Sequence, residues 1–140
     1  MPENFDLKNL NETEQFNKKA EQHVVNHEFR FAAEEFEKAK EYKKAAFYYS
    51  ELEDFQNCAR CFKEAGLFKQ AGEYYEKADL VFNAIECYDL ASCFLRAAEL
   101  SLHVMDYEKS GECFAKDGKF NDAFKAYIKA GNYNKVVESC

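Results

Sequence analysis

An aromatic residue returns at every thirteenth position over most of this chain. In blocks of thirteen counted from Ala39, the fourth position reads Tyr42, Phe55, Phe68, Val81, Phe94, Tyr107, Phe120 and Tyr133. Seven of these eight are rings, in a chain that is 16% aromatic. The seventh position is small throughout: Ala45, Cys58, Ala71, Ala84, Ala97, Ser110, Ala123 and Val136. The eleventh brings back Tyr49, Phe62, Tyr75, Tyr88, Ser101, Phe114, Tyr127 and Cys140. The same lattice reaches back through Phe29, Ala32, Ala33 and Phe36, and more faintly through Phe16 and Ala20. A fixed period of this kind means one small structural unit, stacked on copies of itself.

Positions 4, 7, 8 and 11 fall at i, i+3, i+4 and i+7, which is one stripe of an α-helix. The thirteen residues cannot all be helical. They make about 3.6 turns, so an unbroken helix would swing each new stripe about 140° away from the last. Something resets the direction, and the candidates sit at positions 1 to 3: Ala65-Gly66-Leu67, Asp117-Gly118-Lys119 and Ala130-Gly131-Asn132. Glycine suits the left-handed residue that ends a helix, and Asp54, Asp106 and Asn132 at position 3 suit the next N-cap. Each block therefore reads as a helix of about ten residues and a tight turn, with consecutive helices antiparallel.

A weaker beat of 26 lies on top. Position 10 alternates between Cys61, Cys87, Cys113 and Ser139 in one set of blocks and Tyr48, Tyr74, Leu100 and Ala126 in the other. Two kinds of helix thus make a hairpin, and hairpins stack because such short helices are marginal alone. The expected fold is all-α: a right-handed α-solenoid of antiparallel short-helix hairpins, 13 residues per helix and 26 per hairpin. One domain over 13–140, of about nine to ten helices, accounts for the lattice. The polar segment 1–12 is expected to be mobile, with a helix start at Asn11 or Thr13.

Composition agrees. Ala, Glu, Lys, Phe and Tyr abound, β-branched residues are few, and the single proline is Pro2. With 47% hydrophobic and 32% charged residues the chain can build a core and stay in water. No apolar run approaches the roughly 20 residues that span a bilayer, and MPENFDLKNL lacks a signal-peptide core. The expectation is a cytoplasmic protein in a reducing compartment, with no membrane insertion.

The stretch Phe68-x2-Ala71-Gly72-x2-Tyr75-x2-Ala78 resembles the helix signature of tetratricopeptide repeats, and Tyr107, Ser110, Gly111 and Phe114 repeat it. The period of 26 is shorter than the 34 of that family, and its repeat-ending proline is absent. The pattern is more similar to short-helix arrays in coatomer and intraflagellar-transport subunits, and in large tetratricopeptide-and-ankyrin proteins with helicase domains. The likeness covers about residues 26–140. It implies a scaffold that holds other proteins, usually as part of a longer chain.

Chemistry has little seat here. Cys58 and Cys61 form a C-x2-C pair, and Cys87, Cys93, Cys113 and Cys140 could complete a zinc site. Yet Cys61, Cys87 and Cys113 share one packing slot at intervals of 26, which spreads them along the stack instead of around an ion. They read as small buried hydrophobes, and disulfides are not expected in a reducing compartment. His23 and His27 could share a helix face, but no H-E-x-x-H motif accompanies them. There is no phosphate loop and no nucleophile motif, so neither enzyme activity, cofactor nor metal is expected.

Charge is more informative. Residues 73–112 hold nine acids against three bases, which is −6 of a total of −7. Glu73, Glu86, Glu99 and Glu112 share position 9, opposite the apolar stripe. The same segment carries hydrophobes off the stripe: Leu80, Phe82, Leu90, Leu95, Leu102 and Met105. Apolar groups ringed by acid suit a basic amphipathic peptide or helix, or a homodimer contact. Nucleic acid needs a basic track, which this region lacks. The expected partner-binding residues are Leu80, Phe82, Leu95, Leu102 and Met105, with Glu86 and Glu99 steering. Alternate helices face opposite sides, so Leu95 and Leu102, at i and i+7, are the firmer pair. The last block stops at position 11 and leaves Val136 and Val137 without a successor, as an excised or docking end would. The reading is a non-catalytic protein-interaction scaffold. Its alternatives are a regulatory arm of a multidomain enzyme such as a helicase, or a homo-oligomerising module.

Overall fold

The computed structural model describes residues 2–132 and 134–135, with side chains from Glu12 onward. Tyr133, Val136, Val137 and Cys140, which continue the lattice, lie outside the described residues. The fold is an α-solenoid. Helix α1 spans Pro2–Val25, and eight shorter helices follow: α2 Phe29–Lys38, α3 Tyr42–Glu51, α4 Phe55–Glu64 and α5 Phe68–Lys77. The series closes with α6 Val81–Leu90, α7 Phe94–His103, α8 Tyr107–Lys116 and α9 Phe120–Ala130. No strand occurs among the described residues. Helices α2 to α8 have ten residues each, about 15 Å at the usual rise. Helix α1 extends to Pro2, upstream of Asn11 and Thr13; a proline in the first turn is compatible with a helix start. No described helix is long and apolar enough to cross a membrane.

The turns explain why the period is thirteen. Residues 27, 40, 53, 66, 79, 92, 105, 118 and 131 all have positive φ, between 57° and 78°. Three of them are the glycines anticipated from the sequence, and six are His27, Lys40, Glu53, Asp79, Ser92 and Met105. Each turn is a Schellman motif. In the turn between α2 and α3, Lys40 N–H donates to Glu37 C=O at 2.8 Å and Glu41 N–H to Phe36 C=O at 2.8 Å. The same pair of bonds recurs at Glu53 and Asp54, Asp79 and Leu80, and Met105 and Asp106. The position-3 residue then opens the next helix through its own carbonyl: Glu41 C=O accepts from Ala45 N–H at 3.0 Å. One residue thus closes a helix with its N–H and starts another with its C=O, leaving no linker between them.

Side-chain caps are sparser than backbone ones. Asp54 accepts from Asn57 N–H at 3.3 Å, Asp106 from Lys109 N–H at 3.1 Å and Asn132 from Lys135 N–H at 3.3 Å, as the spacing predicts. Glu28, Glu41, Leu67, Leu80, Cys93 and Lys119 make no such bond.

Consecutive helices pack against one another from α1 to α9. Contacts straddle each turn symmetrically, as antiparallel hairpins require: the buried Ser110 hydroxyl donates to Ala98 C=O at 3.2 Å across α7 and α8. Positions 7 and 8 are buried in nearly every helix, and position 11 rings fill the space they leave. Two glycines show how tight this is. A Cβ on Gly72 would lie 2.9 Å from the Tyr88 ring, and one on Gly111 would lie 2.5 Å from the Tyr127 ring. The core runs as a strip down the axis in two clusters, one over α1 to α4 and one over α4 to α9. Phe62 and Tyr74, stacked at 5.4 Å, pack against both. Lysines at position 13 close the hairpin ends: Lys77, Lys116 and Lys129 sit over the position-4 rings Phe55, Phe94 and Tyr107 at 5.4–5.7 Å. Such contacts are worth roughly 0.5–1 kcal/mol each at exposed sites.

Candidate functional site

Even-numbered and odd-numbered helices form two layers, in each of which ion pairs join helices two apart in the chain. In the even layer the seams are closed by charge. Arg30 and Arg60 of α2 and α4 pair with Asp54 at 3.0 Å and Glu37 at 2.7 Å. Lys63 of α4 reaches Glu86 of α6 at 3.6 Å. Asp89 of α6 receives Lys109 at 2.6 Å and Lys116 at 3.4 Å from α8. Lys135 continues the ladder to Glu108 and Glu112 at 2.9 and 3.0 Å. Among the described residues the odd layer has one such bridge, Arg96 of α7 to Glu76 of α5.

Three of the acids in these bridges, Glu37, Glu76 and Asp89, sit at position 12, and the first two also hold a tyrosine from the next helix. Tyr49 O–H donates to Glu37 at 2.6 Å, and Tyr88 O–H to Glu76. Partial burial works against the Glu37 and Glu76 carboxylates, but hydrogen bonds from arginine and tyrosine hold both below the usual range. Asp89 is held down in the same way by Lys109 and Lys116. Burial, and then the adjacent carboxylate, push the Tyr49 and Tyr88 hydroxyls up, so both remain donors.

Helix α7 is where the odd layer differs. Its two flanks border two clefts of unlike character. Toward α5 lies a cleft of about 380 Å³, floored by Val81 and Leu100. Its walls carry Glu76, Asp79, Arg96, Glu99 and His103. Toward α9 lies a smaller one of about 130 Å³, where Leu102 and Phe114 face Asp122, Lys125, Ala126 and Lys129. No ion pair crosses that second seam among the described residues.

The seven residues anticipated as a binding surface are divided by the fold. Leu95 and Leu102 share α7, are 40% and 36% exposed, and flank Glu99. Met105 is 72% exposed in the turn beside them, its N–H donating to Leu102 C=O at 3.0 Å. Phe82, 68% exposed, and Glu86 lie on α6 in the other layer, and Glu86 meets Lys63. Leu80 starts α6 and packs against the core. The fold therefore brings together Leu95, Leu102, Met105 and Glu99. Leu102 faces lysines of α9 across its cleft, so the acidic ring inferred from the segment's net charge is complete only on the α5 side. Sequence reasoning missed Phe120, Phe124 and Ile128, exposed together on α9. Their signal was available: Phe124 is a large residue at position 8, which elsewhere is mostly alanine or glycine.

The histidines and cysteines are placed apart. His23 lies 3.5 Å from Glu28 and its ring meets Phe31, whereas His27 occupies a turn. Cys58 and Cys61 belong to the first core cluster, and Cys87 and Cys113 to the second. Among the described residues no three His, Cys, Asp or Glu side chains gather as metal ligands. All four buried thiols are fully enclosed, and burial pushes Cys58 and Cys61 up to about 12. In a Cys140→Ser variant, Ellman's reagent at pH 8 should find Cys93 promptly and the other four only as fast as the chain unfolds. Chelator should leave the melting temperature unchanged. Prompt reaction of all five would mean that position 10 is not a packing slot.

No protein-family model matches the chain, and no curated protein is significantly similar to it.

Proposed function

We propose that this solenoid is a non-catalytic protein-interaction scaffold that presents α7 of its odd layer to a partner segment. The observation that carries the reading is the contrast between the layers. The even-layer seams are closed by ion pairs, whereas α7 offers half-exposed Leu95 and Leu102, the latter lining a seam to α9 that no ion pair crosses among the described residues. Apolar side chains at a groove edge, with charge on both sides, are what an amphipathic peptide needs for affinity and register. The likeness to tetratricopeptide-like arrays supports the same reading, since stacked hairpins present extended surfaces.

The test is the double variant Leu95→Glu with Leu102→Glu. Lys125 and Lys129 face the second site and can receive its charge, so the helical circular dichroism should be retained. Partners captured by the parent chain should be lost, or a dimer should dissociate. Unfolding of this variant would assign the two leucines to the core and withdraw the surface.

A further inference from the structure

We infer that the α5–α7 cleft is the receptor for a cationic side chain, arginine or lysine, on an amphipathic helix that lies across the odd layer. This rests on the α7 surface described above and specifies which partner it fits.

The cleft has a back wall that is already satisfied. Glu76 is held by Arg96 and by Tyr88, which leaves it little capacity for a newcomer. The rim is different. Glu99 meets only the edge of Arg96, at 3.2 Å, and Asp79 makes no side-chain hydrogen bond or ion pair among the described residues. Asp79 is fixed by its turn, with φ at 59° and its N–H donated to Glu76 C=O at 3.0 Å. Three carboxylates against one guanidinium leave the cleft net negative. Val81 and Leu100 give it an apolar floor, which suits the aliphatic stem of a long basic side chain. A divalent ion does not fit, because no three donors converge.

The second cleft sets the register. Packed helices lie about 8–10 Å apart, so the cation and an apolar residue seated on Leu95 and Leu102 are separated by about that distance. On a helix rising about 1.5 Å per residue this is about five to seven residues, of which i+7 keeps both side chains on one face. Further on, Lys125 and Lys129 of α9 favour an acid. The partner helix should therefore read cation, apolar, acid, in that order from α5 to α9.

The probes are synthetic helical peptides with Arg at i, Leu at i+7 and Glu at i+14, and a peptide of the same composition with Glu at i+7 and Leu at i+14, an order that turning the helix around cannot restore. Fluorescence anisotropy on the whole chain should show the ordered peptide binding about tenfold more tightly than the reordered one. Asp79→Lys with Glu99→Gln should remove that preference; Lys40 already occupies an equivalent turn, so the fold accepts lysine there. Leu95→Glu with Leu102→Glu should abolish binding altogether. If the leucine variant loses the peptide and the cleft variant does not, the α7 surface stands and the cation site falls. Equal binding of both peptides, or binding of neither, overturns the proposal. So does self-association of the chain that the cleft variant breaks, since a second copy would then be the occupant.

Discussion

Replacing Gly111 by alanine should destabilise the stack by about 1–3 kcal/mol, although alanine is the better helix former by about 1 kcal/mol. The added Cβ would stand 2.5 Å from one ring carbon of Tyr127 and 2.6 Å from another. That ring is buried, so it cannot step aside without opening its own packing. Gly72→Ala overlaps less, at 2.9 Å, but Tyr88 is tethered through its hydroxyl to Glu76 and recoils less freely. The same spacing puts Ser101 opposite Ile85, where the sizes are exchanged. Ser101→Tyr should therefore be costly alone and largely rescued by Ile85→Gly, a coupling that a double-mutant cycle in urea would read directly. If Gly111→Ala shifts the denaturation midpoint upward, the rings are not the wall they are taken for.

The opposite sign is expected at the turns. Changing His27, Lys40, Glu53, Ser92 and Met105 together to glycine should raise stability by about 2.5–5 kcal/mol, roughly 0.5–1 kcal/mol each. All five hold positive φ that a side chain disfavours, and glycine removes that strain while giving back part of the gain as unfolded-state entropy. Asp79 is left in place because it lines the α5–α7 cleft. Lys43→Gly, on the exposed face of α3, is the control and should lower stability by about 1 kcal/mol. A fall in melting temperature for the five-fold variant would show that these side chains contribute more than their backbone strain costs.

The architecture was legible because its signal repeats, and repeats average away local exceptions. Position 4, 7 and 11 residues located every helix from α2 to α9, and Asp54, Asp106 and Asn132 marked three side-chain caps. Only three of the nine turn residues are glycine; His27 or Met105 could be placed there by the period alone. The surface was harder to read. Glu76 meets Arg96 two helices on, a relation that no single helix displays and that depends on knowing which helices share a layer. Leu102 illustrates the same difficulty. Its segment is acidic, but its neighbours across the seam are Lys125 and Lys129, because proximity in the chain and proximity in the layer differ by a hairpin.

The residue that closes one helix and opens the next also governs how such a chain can change in length. Glu41, Asp54 and Asp106 each hold bonds in two helices at once, so an added or deleted residue at these joints breaks one helix end or the other. A single-residue insertion would also turn every later stripe by about 100°. Loss or duplication of thirteen residues preserves the turn, and of twenty-six preserves the layer as well. Insertions and deletions in relatives of this chain should therefore come in whole helices, and mostly in whole hairpins.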